Sequence, residues 1–351
     1  MNDWLELMIA LSVAGSVVVA CILLLDPFIQ KGFSAKWHYL LRKVAIFFYL
    51  VPVLFIVQRI TFYSQEPLTD LKAMQTSYWG DIIPKQYIPI ELAIALLSIW
   101  TVGVVAFGGW HVYCHRKFTK EMKRNNLPIP NDSEVYKLLN AHKKTMRIRR
   151  DVQLAYNNQI ASPAIIGLRK PTILLPIGKM SLTELNMVLH HELIHFKRKD
   201  LWIKIVMLAA SSLHWFNPFV YILRKEVYIW SELSCDEEVV VDMSYAERKR
   251  YGEMILNMLE DSFTELTSYS AFLSGNKKNL KKRLTMLVHV KTMKKSIMVI
   301  ATTIIISIGA IGTTASALAS ESTPVVNPIE AKETIFDPDN QKVEVILTDS
   351  F

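Results

Sequence analysis

Residues 181–195 read SLTELNMVLHHELIH and join a helix start to a metal-binding pattern. Ser181 and Glu184 match a capping box, in which each side chain satisfies a backbone N–H of the other, so a helix is predicted to begin at Ser181. Further along, His191 and His195 are four positions apart, so both imidazoles leave one face of the helix a turn apart. Two imidazoles arranged in this way can share one Zn²⁺ ion.

The residue after the first of these histidines, Glu192, completes the pattern His-Glu-x-x-His. Its carboxylate can reach a zinc-bound water, whose pKa the metal lowers, and take a proton from it. The alternative is a polar helix with surface histidines, which the spacing disfavours. His190 leaves the helix about 100° away from His191, so it is predicted to pack beside the site or support it rather than bind the metal.

A catalytic zinc ion usually has three protein ligands and one open position, so a third ligand is expected elsewhere in the chain. Glu232, in a helical stretch over about 226–241, is the best candidate. Asp236 lies one turn later on the same face and is placed to orient a ligand imidazole through a hydrogen bond. The alternatives for the third ligand are Glu237, Glu238, His214 and, less favoured, Cys235, which also suits a small buried position.

The composition indicates a membrane protein. The chain has 351 residues, of which 51% are hydrophobic, and a net charge of +8; its mean hydropathy is +0.23. Disorder is excluded, and the basic charge is better explained by a membrane surface than by direct nucleic-acid binding. Four stretches are apolar and long enough to cross a bilayer. The presence of four such stretches argues against the alternative, in which they are buried helices of a soluble protein. They cover about 4–25, 41–58, 88–110 and 296–318.

Basic residues are in excess over acidic ones on one side of these stretches, which predicts the orientation. The N-terminus is expected outside, residues 111–295 in the cytoplasm, and the tail over 319–351 outside. This tail has seven acidic residues against two lysines. None of the three cysteines, Cys21, Cys114 and Cys235, falls in a predicted outside loop, so no disulfide framework is expected.

The predicted cytoplasmic region has the pattern of an α+β domain. Residues 152–156 favour a strand, and 163–167 with 172–176 favour a hairpin. Residues 201–223 are apolar enough to suggest a fifth span, but a crossing there would put His195 and Glu232 on opposite sides of the membrane. We therefore expect two helices broken near Asn217-Pro218, buried in the domain or dipping into the membrane surface.

These motifs together resemble the integral-membrane gluzincins, and most closely the BlaR/MecR-type antirepressor metallopeptidases. The resemblance rests on His191–His195, then Asp200, Asn217-Pro218 and Glu232-x-x-Cys235-Asp236, with further similarity in 162–176 and 280–284. It implies one zinc ion per chain bound by His191, His195 and Glu232, with Glu192 as the catalytic residue. Asp200 joins Asp236 as a carboxylate expected to orient a ligand.

The resemblance also implies a fold class and a function. The expected fold is a membrane α-helical protein of four transmembrane helices, with an α+β gluzincin-like zinc metallopeptidase domain between spans three and four. The expected activity is cytoplasmic cleavage of a transcriptional repressor, or of a protein that controls one. Relatives of the sensor type also cleave themselves between this domain and the last span, which here corresponds to about 265–295.

One feature departs from the family pattern. The sensor members carry a large extracellular penicillin-binding domain after the last span, whereas only 33 residues follow the predicted span here, without a Ser-x-x-Lys motif. We therefore expect a trigger other than β-lactam acylation: a ligand on 61–86 or on the tail, a partner sensor protein, or a membrane disturbance. Residues 317–319, Ala-Leu-Ala, resemble a processing site but fit an ordinary span end better, and 343–347 alternate as a strand that could pair with a partner.

The sequence thus predicts a bacterial cell-membrane zinc endopeptidase that signals by proteolysis. A substrate strand near 162–176 is expected to hold an extended peptide by edge pairing, with the residues Ser162, Pro163, Ile165 and Gly167. Tyr228 and His214 are candidates for stabilising the tetrahedral oxyanion, only because they are close in sequence to the proposed zinc ligands. Two rival functions remain, a membrane-protein quality-control protease and a scaffold that binds a repressor without cleaving it. A homodimer is left open.

Overall fold

The computed structural model describes residues 2–30, 32–52, 87–178, 180–264, 270–288, 295–326, 333–336 and 343–346. The protein is mostly helical over this part of the chain. The helices are α1 (Asn2–Ile29), α2 (Ala35–Leu50), α3 (Ile90–Arg124), α4 (Glu134–Thr145), α5 (Leu182–Lys197), α6 (Asp200–Leu213), α7 (Pro218–Val240), α8 (Tyr245–Thr264), α9 (Ser270–Val288) and α10 (Lys295–Glu321).

Among the described residues, three helices are long and apolar enough to cross a membrane. They are 3–29 in α1, 90–124 in α3 and 297–321 in α10, which correspond to the first, third and last predicted spans. The second predicted span, about 41–58, coincides with α2 only as far as Leu50, and its residues 53–58 lie outside the described residues. So do the loop 61–86 and two parts of the predicted self-cleavage segment, 265–269 and 289–294.

The three long helices share one end. The strand β1 (Tyr87–Ile88), immediately before α3, pairs in parallel with β6 (Val325–Val326), immediately after α10. The Ser320 hydroxyl near the end of α10 donates a hydrogen bond to Glu6 near the start of α1. The start of α1, the start of α3 and the end of α10 therefore lie together, so α1 and α3 run in the same direction and α10 runs in the opposite one.

A four-stranded mixed sheet lies in the central part of the chain. Its strands are β2 (Asn126–Pro128), β3 (Gln153–Asn157), β4 (Ala164–Ile166) and β5 (Thr172–Pro176), in the order β2-β3-β5-β4. The pairing of β3 with β5 is parallel, and the other two pairings are antiparallel. The predicted strand and hairpin are confirmed, and β4 is left as an edge strand.

Helix α5 packs one face on this sheet and turns the other away from it. Leu189 and Leu193, both fully buried, belong to an apolar cluster with Ile173 and Leu175 of β5. The predicted capping box is present, because the Ser181 hydroxyl accepts from the Glu184 backbone while the Glu184 carboxylate accepts from the Ser181 backbone. The sheet-facing leucines thus fix the rotation of α5, and with it the direction of the histidines on the other face.

The predicted break at Asn217-Pro218 is confirmed, since α6 ends at Leu213 and α7 begins at Pro218. The Asn217 side chain caps α7 by accepting from the Phe219 backbone N–H. Its amide nitrogen donates to the hydroxyls of Ser12 and Ser16, near the middle of α1. The corner therefore lies beside the middle of α1, where these hydroxyls give the amide hydrogen-bond partners that lipid cannot.

The predicted strand within 343–347 is confirmed as β8 (Val343–Ile346). It pairs antiparallel with β7 (Glu333–Phe336) of the same chain, so the described residues show an internal partner for it.

Candidate metal and catalytic site

Helices α5 and α7 bring His191, His195 and Glu232 together. The two Nε2 atoms are 3.1 Å apart. The Glu232 carboxylate lies 3.7 Å from Nε2 of His191 and 3.6 Å from Nε2 of His195. Residues far apart in sequence therefore point two imidazole nitrogens and a carboxylate at one place.

The ring of His195 is oriented by Asp200. Nδ1 of His195 is 2.7 Å from Oδ2 of Asp200, and Asp200 also accepts from the hydroxyls of Tyr39 at 3.0 Å and Ser231 at 3.2 Å. An ionised carboxylate can only accept, so Nδ1 carries the proton and Nε2 keeps its lone pair. Asp200 thus has the contact that the sequence analysis expected of it.

The ring of His191 is oriented through a tyrosine that sequence reasoning missed. Nδ1 of His191 is 2.8 Å from the hydroxyl of Tyr251, which donates to Oδ1 of Asp236 at 2.8 Å. Because the hydroxyl proton goes to Asp236, the Tyr251 oxygen accepts from Nδ1–H, and Nε2 again keeps its lone pair. Asp236 therefore acts on His191 mainly through Tyr251, which lies 60 residues away in sequence and carries no motif signal.

This donor set fits a divalent metal. Two lone pairs facing each other at 3.1 Å, with a carboxylate beside them, repel unless a cation lies between them. Zinc binds histidine nitrogen at about 2.0–2.1 Å, which two nitrogens at this separation can accommodate. Burial alone would raise the pKa of Glu232, but the positive charges around this carboxylate, Arg283 among them, hold that pKa well below its usual value. Glu232 is therefore an anionic ligand at neutral pH.

Cys235 is near the site, but its sulfur faces Nδ1 of His191 and not Nε2. It forms a buried group with His191 and His195 in which one potential ligand atom of each lies within 4.8 Å of the others. Its Sγ, however, is 3.6 Å from Nδ1 of His191, the nitrogen that faces away from His195. Burial, followed by the charge of Asp236, raises the pKa of this thiol well above its usual value, which makes it a poor ligand. The geometry favours Glu232.

The remaining alternatives for the third ligand point elsewhere. Glu237 accepts from the backbone N–H of Lys36 in α2 at 3.1 Å, and Glu238 is exposed. His214 is almost fully buried, with Nε2 2.9 Å from the backbone oxygen of Tyr49. The structure does not bring any of these three to the paired histidines.

The two histidines and Glu232 open into a cleft of about 330 Å³, which we call the catalytic cleft. Glu192 lines it and is buried. Burial alone would lower the pKa of His195, but the charges of Glu232, Asp200 and Glu192 raise it. The cleft is also bordered by Ser162, Pro163, Ile165, Tyr228 and Arg283.

Arg283, from α9, is a site residue that sequence reasoning did not single out. Its Nε and Nη2 donate to the two carboxylate oxygens of Asp236 at 2.7 and 2.9 Å. Its third nitrogen, Nη1, is 3.8 Å from Oε2 of Glu232. One guanidinium thus holds Asp236, which orients His191 through Tyr251, and also lies close to the carboxylate of Glu232. The only sequence signal was that 280–284 resembles a basic segment of the family.

Of the other predicted site residues, some reach the catalytic cleft and some do not. Tyr228 borders it and is half-exposed, and the charge of Glu232 raises the pKa of its hydroxyl. Gly167 lies beyond β4 in the turn and borders a neighbouring groove instead. His214 is not among the residues that line the cleft, so we do not keep it as an oxyanion candidate. His190 stacks on His142, with ring centres 5.2 Å apart.

Residues 6–287 match the family described as BlaR1 peptidase M56. This chain belongs to the BlaR1 peptidase M56 family. The resemblance predicted from the motifs is therefore confirmed, and the chain is a membrane protein of a metallopeptidase family.

Three relatives show how far the similarity extends. The chain is 33% identical over 202 residues to the regulatory protein BlaR1 of Bacillus licheniformis, which covers 56% of this chain and 33% of that protein. It is 25% identical over 231 residues to the methicillin resistance mecR1 protein of Staphylococcus aureus strain Mu50, covering 64% and 39%. For the regulatory protein BlaR1 of Staphylococcus aureus the identity is 26% over 188 residues, covering 51% and 31%. The chain spans about a third of the length of these relatives.

Proposed function

We propose that this protein is a membrane zinc endopeptidase that transmits a signal by cleaving a cytoplasmic regulator. The observation that carries this proposal is the convergence of His191, His195 and Glu232 beside Glu192 in an open cleft. The names of the relatives describe regulatory and resistance proteins, which supports a signalling role. The substrate we propose is a transcriptional repressor, or a protein that controls one.

In this proposal His191, His195 and Glu232 hold one zinc ion. When bound, zinc lowers the pKa of a water molecule and polarises a peptide carbonyl. Glu192 takes a proton from the attacking water and passes it to the leaving amine. Asp200 and the Tyr251–Asp236 pair keep each imidazole in the tautomer that leaves Nε2 free.

The substrate is proposed to lie extended along β4. Within the described part of the chain this strand pairs with β5 alone, so its other edge has no strand partner there, and residues 162–165 border the catalytic cleft. An added strand gains backbone hydrogen bonds without requiring a particular side chain. Tyr228, at the border of the same cleft, is our candidate for donating a hydrogen bond to the tetrahedral oxyanion.

The proposed organisation is a three-span region over 1–110, a cytoplasmic domain over 111–295, a fourth transmembrane helix over 296–318 and an outside tail over 319–351. The shared end of α1, α3 and α10 supports this order of crossings, because α1 and α3 run in the same direction and so need a second crossing between them. The basic flanks support an outside N-terminus in a bacterial cell membrane. The second span, over about 41–58, is proposed from its apolar sequence.

The signal and the partners also belong to the proposal. We propose a trigger from a sensor partner or an outside ligand, and self-cleavage within 265–295. The position of α9 supports the latter, since Arg283 from this segment already lies at the catalytic cleft. A quality-control protease would share the same site, and the two functions differ in whether one regulator or many membrane proteins are cleaved.

Replacement of Glu192 by Gln tests the proposal. The variant should still bind about one zinc ion per chain, because no metal ligand is lost, yet it should stop cleavage and signalling. His195→Ala should lose the metal. The measurements are zinc content of the purified protein and a survey of new N-termini in cells expressing wild type or Glu192→Gln.

The matched control is His190→Gln, which changes the neighbouring histidine that stacks on His142 and should leave zinc and cleavage intact. Normal signalling by Glu192→Gln would refute the protease and favour a scaffold. Loss of new N-termini from many membrane proteins, rather than from one regulator, would favour quality control.

A further inference from the structure

A second groove adjoins the catalytic cleft and is strongly basic. It has a volume of about 310 Å³, and we call it the basic groove. Its cationic lining comes from the end of the α4 region and from the corner between α5 and α6. These residues are Arg147, Arg149, Arg150, Lys197 and Lys199. The described residues that line the groove include no aspartate or glutamate. The groove therefore favours an anionic occupant.

The groove also has an apolar side. Phe196 and Trp202 line it together with Leu168 and Leu201, and Trp202 is half-exposed. A free inorganic anion does not need such a surface, whereas a peptide with acidic side chains and an apolar neighbour uses both.

The basic groove continues the catalytic cleft. Ile165, His195 and Leu201 line both. Along β4 the residues before Ile165 border the cleft, and Gly167 and Leu168 after it border the groove. At about 3.3 Å per residue, an extended peptide on the open edge of β4 passes from one to the other within a few residues.

The cationic side chains differ in how they are held. Arg150 donates from Nη2 to the backbone oxygens of Leu168 and Arg169, at 2.7 and 2.8 Å, so it ties the groove wall together. Arg149 and Lys197 are exposed, and neither has an ion pair with an acidic side chain within the described part of the chain. These two can therefore pair with a ligand without giving up a partner seen here.

We propose that the basic groove binds acidic side chains of the substrate on one side of the cleaved bond. This inference rests on the proposed peptidase function and adds a substrate class to it, a regulator whose cleavage site is flanked by an acidic segment. The lining shared with the catalytic cleft favours a peptide over a lipid headgroup, which has no reason to extend along β4.

Binding of matched peptides tests this proposal in the full chain carrying Glu192→Gln, reconstituted in phosphatidylcholine nanodiscs with zinc. The fluorescent peptides have 12 residues with a central apolar pair, and three Glu or three Gln either before or after it. For one of the two placements of the acidic residues, we expect the Glu peptide to bind about tenfold more tightly than the matching Gln peptide at about 0.1 M salt. This difference would come from several weak ion pairs between exposed side chains. Salt at about 0.5 M should remove most of the difference, because it screens exposed charges.

The double variant Arg149→Gln, Lys197→Gln should remove the preference for Glu. The control Lys120→Gln, Lys144→Gln makes the same change in net charge at exposed residues outside the groove and should keep it. Equal binding of Glu and Gln peptides, or absence of any peptide binding, would overturn the proposal. So would displacement of the Glu peptide by short-chain phosphatidylglycerol, which would assign the groove to lipid headgroups.

Cleavage by the wild-type protein separates this proposal from the function on which it rests. If neither peptide type is cleaved although the Glu peptide binds more tightly, the proposed protease fails and the proposal for the basic groove stands. If both types are cleaved at equal rates and bound equally, the protease stands and the groove proposal fails.

Discussion

At the scale of single residues, the site consists of two histidines whose tautomers are fixed by hydrogen bonds at their Nδ1 atoms. Asp200 accepts directly from His195, while Asp236 acts on His191 through the Tyr251 hydroxyl. Both arrangements leave Nε2 available for a metal, but the second depends on one more hydrogen bond. The position of Asp236 in turn depends on Arg283.

Arg283→Lys should weaken the site. Lysine has one compact charge and cannot donate in a fork to both oxygens of Asp236, so the Tyr251–His191 orientation loses its support. Because Arg283 acts through these residues, we expect metal affinity and kcat to fall about 10–100-fold, as for other groups behind metal ligands, with KM changed much less. The measurements are zinc titration and peptide cleavage.

Lys281→Ala, an exposed change on the same helix, is the control for effects on α9 itself. Wild-type zinc affinity and kcat in Arg283→Lys would show that the guanidinium has no positioning role.

At the scale of secondary-structure elements, local signals in the sequence set the boundaries and packing sets the directions. The β4–β5 turn is an example, because it aligns the edge strand that borders the catalytic cleft. Gly167 in this turn has φ of +85°, and a Cβ there would lie 2.5 Å from the backbone oxygen of Lys170. Only glycine fits this backbone without strain.

Gly167→Ala is therefore expected to destabilise the domain by about 1–3 kcal/mol, from the strained backbone and the contact with the Lys170 carbonyl. The apparent unfolding temperature of the detergent-solubilised protein should fall by several degrees. Gly178→Ala is the control, since nothing lies within 4 Å of a Cβ at that exposed glycine. An equal temperature for Gly167→Ala and wild type would contradict the strain argument.

At the scale of the whole molecule, α7 connects the membrane helices to the candidate metal site. Its first half packs with α1 and α2 through Val220 and Val227, and its second half packs with the sheet domain through Cys235 and Val239. From the corner at Asn217 to Glu232 the helix rises about 22 Å at 1.5 Å per residue. Half of a bilayer hydrocarbon core is about 15 Å. With α1 spanning the bilayer as proposed, we expect Glu232 to lie close to the membrane surface.

Asn217→Leu is expected to loosen this connection. The change removes the hydrogen bonds to Ser12 and Ser16 and the cap on α7, at a cost of about 1–3 kcal/mol. We expect a lower apparent unfolding temperature together with a lower cleavage rate, because the position of Glu232 depends on α7. Phe216→Leu, at a half-exposed residue of the same corner, should change neither. Unchanged stability of Asn217→Leu would show that the corner is held by apolar packing alone.

The sequence by itself determined the features that are local along the chain. The capping box starts α5, Asn217-Pro218 separates α6 from α7, and 163–176 form a hairpin. His191 and His195 lie side by side because both are on one helix, whose period puts residues four apart on the same face. No tertiary contact is needed for any of these results.

Only the tertiary structure decided which distant groups meet the two histidines. Glu232, Cys235 and Glu237 lie within six residues on α7, and the rotation of that helix against α5 determines that Glu232 faces Nε2 while Cys235 faces Nδ1. Tyr251 and Arg283 reach the site from α8 and α9 without any local pattern. The physical reason is that helix rotation and depth follow from packing on both sides of a helix, and this packing depends on residues far away in sequence.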